Sequence, residues 1–135
     1  MSHTLSTTVD RGFAETLEAT RARLVDAGFG VLTEIDLAAT LKAKIGAEIA
    51  PQVILGACRP PLALAALEAE PTIGVFLPCN VVVRAVDEQH TLVEAMDPDA
   101  MVGLTGNEAL ADVAADARQR LSAALEALAS EHANP

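Results

Sequence analysis

The chain has two cysteines, Cys58 and Cys79, and each stands in a short segment dense in other unusual residues. The first reads Cys58-Arg59-Pro60-Pro61. The second reads Leu77-Pro78-Cys79-Asn80, with Met96-Asp97-Pro98 and Met101 downstream. Thiolate and thioether sulfurs are soft donors of the kind that suits Cu(I). Cys58, Cys79, Met96 and Met101 are therefore the candidate metal ligands. Cys58, Arg59, Pro78, Cys79, Asn80, Met96 and Asp97 are the wider candidate ligand-binding set. Two other uses of the same thiols stand beside this one. They could cycle between dithiol and disulfide, or they could be packing residues, since free cysteine often behaves as a small hydrophobe. Neither belongs to a CxxC pair. Structural zinc usually takes four Cys or His ligands, and His3, His90 and His132 fall at a terminus, a turn and a tail. A cysteine nucleophile needs a general base within hydrogen-bond reach. No histidine is so placed, and Asp97 before Pro98 reads as a turn residue, so no catalytic residue is assigned.

These segments must be positioned by secondary structure. Thr4 to Val9 alternates as a strand, with Leu5, Thr7 and Val9 on one face. Phe13, Leu17, Thr20, Leu24 and Gly28 line one face of a helix that Gly28 stops. Phe29 to Ile35 reads as a strand. Asp36 caps a short helix through Leu37, Leu41 and Ile45, ending at Gly46. Val53 to Cys58 suits a buried strand. Pro60 and Pro61 open a helix, Leu62 to Glu70, which Pro71 closes. Its residues are apolar almost all round, which predicts burial of most of it. Ile73 to Leu77 and Val81 to Val86 read as strand material on either side of Pro78. Asp87 to His90 is a polar turn, and Thr91 to Met96 returns as a strand. Leu110, Val113, Ala114, Ala117, Leu121, Ala124, Leu125 and Leu128 hold a helical stripe, and Thr105 with Glu108 has capping-box spacing at its start.

The predicted fold is α+β in two layers, a mixed β-sheet mostly covered on one face by helices, with a long C-terminal helix. A single domain over residues 1–135 is expected, its core about 4–129 and its tail 130–135 frayed. A loop of two or four residues within Asp87 to His90 would set Val81 opposite Met96 and put Cys79, Val81 and Met96 on one face. An odd loop length would flip that relation. Cys58 ends a strand just before a helix, a common place for a ligand site.

Composition bounds the function. The chain carries 19 acidic and 9 basic side chains, a net charge of −10. That sign repels phosphate backbones and anionic membranes, so neither nucleic acid nor membrane is an expected partner. Phe13, Phe29 and Phe76 are the only aromatics, which predicts an aliphatic core. Asp10, Arg11 and Glu15 precede any apolar run, so no signal peptide is expected, nor a membrane-spanning segment. The expected location is cytoplasmic, where two cysteines are thiols rather than a disulfide.

The sequence resembles the family catalogued as domain of unknown function 302 through nearly its whole length. The resemblance is carried by Ala27-Gly28-Phe29-Gly30-Val31, Ile54-Leu55-Gly56-Ala57-Cys58 and Pro60-Pro61-Leu62-Ala63. It continues through Leu77-Pro78-Cys79-Asn80-Val81-Val82-Val83, then Met96-Asp97-Pro98 and Met101. That family usually shows Asn directly after the first Cys, where this chain has Arg59. The resemblance implies a compact α+β domain that pairs with itself, and it implies no reaction. The functional expectation is a self-associating homodimeric binding domain for a soft metal ion or a small apolar ligand. A thiol redox protein and an assembly module without a site are the alternatives.

Overall fold

The computed structural model describes residues 3–132. The alternating run at the start forms β1 (Thr4–Val9) and leads into α1 (Phe13–Asp26). Along α1, Thr16, Thr20 and Leu24 are buried. The two threonine hydroxyls donate to the carbonyls of Gly12 and Thr16, at 2.8 and 2.7 Å. A buried hydroxyl is thereby satisfied without leaving the helix. Strand β2 (Gly30–Asp36) follows, then α2 (Leu37–Ile45), whose Asp36 cap accepts from the Ala39 amide at 2.9 Å. Strand β3 (Gln52–Cys58) runs into α3 (Pro60–Ala69), with prolines in the first turn, where a missing N–H is harmless.

Strands β4 (Cys79–Ala85) and β5 (Thr91–Met96), then α4 (Asp99–Thr105) and α5 (Ala111–His132), complete the chain. The five strands lie in the order β1-β5-β4-β3-β2. Every adjacent pair is antiparallel, so the sheet is not mixed. The connection through α1 carries the chain from one edge to the other, and β3, β4 and β5 then fill the gap by reversals. Val9, Val53, Leu55, Ala57, Val81, Val83, Val93 and Ala95 form the inner face. Leu24 of α1 and Leu121, Leu125 and Leu128 of α5 close over it. The stripe of α5 thus docks on the sheet and α1. A smaller cluster of Ala66, Ile73, Met101 and Leu110 lies beside it.

Several local expectations are corrected. Ile73 to Leu77 is not a strand: Pro71–Phe76 is a 3₁₀ turn, with Ile73 fully buried and Val75 83% exposed. A short apolar run carries too little periodicity to separate these forms. Helix α3 buries only Ala66 completely and leaves Leu64 60% exposed, because its neighbours cover one side alone. Thr105 does not cap the last helix. It ends α4, its hydroxyl donating to the Met101 carbonyl at 2.6 Å. Asn107 instead accepts from the Ala109 amide at 2.9 Å and opens a 3₁₀ turn, Glu108–Leu110, ahead of α5. Helix α5 runs to His132, and 133–135, the rest of the expected tail, lie outside the described residues.

The hairpin between β4 and β5 has an odd loop. The Val86 amide donates to the His90 carbonyl at 2.9 Å, enclosing Asp87, Glu88 and Gln89. Asp87 accepts from the Gln89 amide at 2.8 Å, which tightens the turn. Val81 consequently faces Ala95, not Met96. A one-residue slip moves a whole strand's side chains to the other face, so Met96 lies opposite to Cys79 and Val81 across the sheet.

Candidate functional site

Cys58 is the last residue of β3 and Cys79 the first of β4. Ala57 pairs directly with Cys79, so the two thiol-bearing residues sit at adjoining strand ends. They line one narrow cavity of about 30 Å³ together with Met101, Leu62, Ala66 and Phe29. Cys79 and Met101 are buried, at 7% and 2% exposure, and Cys58 is half-buried. Both cysteines are free thiols. Burial, and to a smaller degree the neighbouring Cys58, pushes the Cys79 thiol above its ordinary pKa. Desolvation penalises the thiolate, so Cys79 alone is a poor nucleophile at neutral pH. The cavity is lined by neither carboxylate nor imidazole.

The expected set is therefore divided. Cys58, Arg59, Cys79 and Met101 line the cavity. Asn80 and Met96 do not: they border a shallow groove on the outer face of the sheet, with Val82, Glu94 and Leu104. Pro78 packs over Gly56. Asp97 is absorbed into structure. Its carboxylate accepts from the Asp99 amide at 3.0 Å and from Arg118 Nε at 3.2 Å, tying α4 to α5. Among the described residues no three His, Cys, Asp or Glu side chains gather as a metal cluster. The sulfur-bearing residues of the cavity wall are thus Cys58, Cys79 and Met101, without Met96.

Other lining residues carried no signal in the sequence. Leu62, Ala63 and Ala66 come from α3, and Val113 and Ala117 from the stripe of α5. Apolar helix residues with the ordinary spacing of a core cannot be told from a cavity wall until the helices are packed. Arg120 is the more informative omission. Its Nη1 donates to the Ala27 carbonyl at 3.0 Å, beside Gly28 and Arg59. Only the docking of α5 against α1 brings it there.

The family model described as Domain of unknown function DUF302 matches residues 5–128. The fold is similar to the crystal structure of the uncharacterized conserved protein DUF302 from Bacillus stearothermophilus, with a TM-score of 0.86 and 32% sequence identity. That likeness covers 93% of this chain and 98% of the other. No curated protein matches it. No helix among the described residues is long and apolar enough to cross a membrane. With the match spanning all five strands and nearly all of the last helix, the chain belongs to the DUF302 family.

Proposed function

We propose that this protein is a non-enzymatic, self-associating domain that holds a single soft metal ion, with Cu(I) as the preferred cargo. The observation that carries this reading is that Cys58, Cys79 and Met101 line one cavity of about 30 Å³. Pockets for organic ligands run to roughly 300–1,000 Å³, whereas one water occupies about 30 Å³ of liquid. That size favours an ion over the small apolar ligand that composition also allowed. Two thiols and a thioether are soft donors matched to Cu(I). Binding expels the two thiol protons to solvent and leaves a sulfur-ligated monovalent ion.

Self-association is supported by apolar surface around the site. Leu64 and Leu67 of α3 and Val75 of the adjacent turn are 60%, 41% and 83% exposed. We place the domain in the cytoplasm, where thiols stay reduced and able to ligate. A dithiol–disulfide cycle is the competing use of the same two thiols. It is favoured by their shared cavity, and it requires both to disappear together under mild oxidant.

Chemical unfolding of reduced protein, with and without excess Cu(I) under argon, tests the proposal. Ligand at about 100 times its dissociation constant adds about 2.7 kcal/mol to the stability of a native state that alone binds it. That gain is expected in the wild type and is lost in Cys58→Ser and Cys79→Ser. An equal unfolding midpoint with and without Cu(I) contradicts it.

A further inference from the structure

In an acidic protein a cation finds a carboxylate easily. Arg11, Arg21, Arg23, Arg84, Arg118 and Arg120 each do so. Arg59 is the exception among the arginines: its guanidinium has no carboxylate partner among the described residues, and its Nε is buried with no hydrogen-bond partner. An orphaned buried donor of a charged group is costly and calls for a partner. Nor is its setting that of a surface lysine or arginine. A Cβ built on Gly28 would lie 2.8 Å from Arg59 Nη1 and 3.1 Å from Arg120 Nη1. The two guanidiniums thus converge over a residue that has no side chain, and whose φ of +94° suits glycine. Asp116 engages Arg120 through Nε at 2.7 Å, and the Ala27 carbonyl takes one Nη1 hydrogen, so the Arg120 fork is partly used. No group among the described residues takes the Arg59 fork.

We infer that Arg59 and Arg120 form an oxyanion site over Gly28, at the rim of the sulfur cavity, which takes the carboxylate or phosphate group of a small ligand. Planar guanidinium forks match both groups in bidentate geometry. A bound oxyanion relieves the repulsion between the two cations and supplies acceptors to the side chain that lacks them. The inference does not depend on the cavity taking a metal.

The test is a titration of metal-free, ¹⁵N-labelled protein with sodium phosphate and, separately, with sodium acetate, at ionic strength held constant by sodium chloride. The expected result is a saturable shift of the Gly28 amide and the Arg59 Nε–H signals with one or both anions. Saturation by phosphate alone assigns a phosphate group, and saturation by acetate assigns a carboxylate. Losing a charge-assisted contact costs about tenfold or more in affinity, so Arg59→Gln and Arg120→Gln weaken binding by at least that factor. Arg118→Gln leaves it unchanged. The same spectra report whether each variant is folded. Shifts no larger than those from chloride alone, or undiminished binding in folded Arg59→Gln, overturn the inference.

Discussion

Gly56 lies between two fully inward-facing residues of β3, so a side chain there would project from the outer face of the sheet. The Thr33 hydroxyl already occupies that point, and the Pro78 ring approaches it to 2.8 Å. Gly56→Ala therefore forces backbone or proline to move, at a cost of about 1–3 kcal/mol in unfolding free energy. Thr33→Ala in the same chain recovers part of the loss, a coupling that a double-mutant denaturation cycle measures. The β4–β5 hairpin offers a pH-dependent residue. A hydrogen bond from His90 to Asp87, and the attraction between them, raise the His90 pKa, while the Gln89 amide and, to a smaller degree, the same His90 bond lower that of Asp87. Asp10 also faces the ring, 3.2 Å from Nε2. A raised histidine pKa contributes stability that is complete below the unfolded value, near 6.5, and vanishes as pH rises through the folded value. A lowered aspartate pKa contributes stability that is complete above the unfolded value, near 3.9, and is lost as pH falls. His90→Gln is thus expected to lower the melting temperature slightly at pH 5.5 and not at pH 8.5. Solvent reaches both side chains, so the difference is small.

Among the elements, α5 carries the most burial. Its Leu121 is 1% exposed at the centre of the main core, and Leu121→Ala is expected to cost about 2–5 kcal/mol by chemical unfolding. Leu64→Ala on the exposed side of α3 should stay within about 0.5 kcal/mol. The same change is expected to lower the apparent mass in sedimentation at fixed concentration, since that surface is the one proposed for self-association. How far an element was legible from sequence follows from its length and from how many faces it buries. The stripe from Val113 to Leu128 was long enough to fix the helix, while Leu110 at its head falls in the 3₁₀ turn. Strand β1 and the Asp36 cap declared themselves by alternation and by a single well-placed carboxylate. Ile73 to Leu77 misled because five apolar residues fit a strand and a 3₁₀ turn alike. Helix α3 misled because hydrophobicity all round does not say which neighbours will cover it.

At the scale of the molecule, the site depended on one loop length. A three-residue turn instead of an even one sent Met96 to the outer face, where alternation along β4 already put Asn80, and left Cys79 facing inward. Cys58 could be brought toward Cys79 only by the β3–β4 pairing, which no local pattern encodes. Met101 joins them through α4, an element without a sequence signature. The candidate set was therefore half legible: residue types named Cys58, Arg59, Cys79 and Met101, and topology alone removed Met96, Asn80 and Asp97. What remains is a small cavity at two adjoining strand ends, with Cys58, Arg59, Cys79 and Met101 in a largely apolar wall.

The most direct test is an anaerobic competition titration, in which reduced protein draws Cu(I) from a coloured chelator of known affinity. The account predicts removal of one Cu(I) per chain by the wild type. Cys58→Ser and Cys79→Ser should each abolish it. Met101→Leu should weaken it, and Met96→Leu should leave it unchanged because Met96 lies outside the cavity. Chelator colour that stays constant as wild-type protein is added would contradict the account.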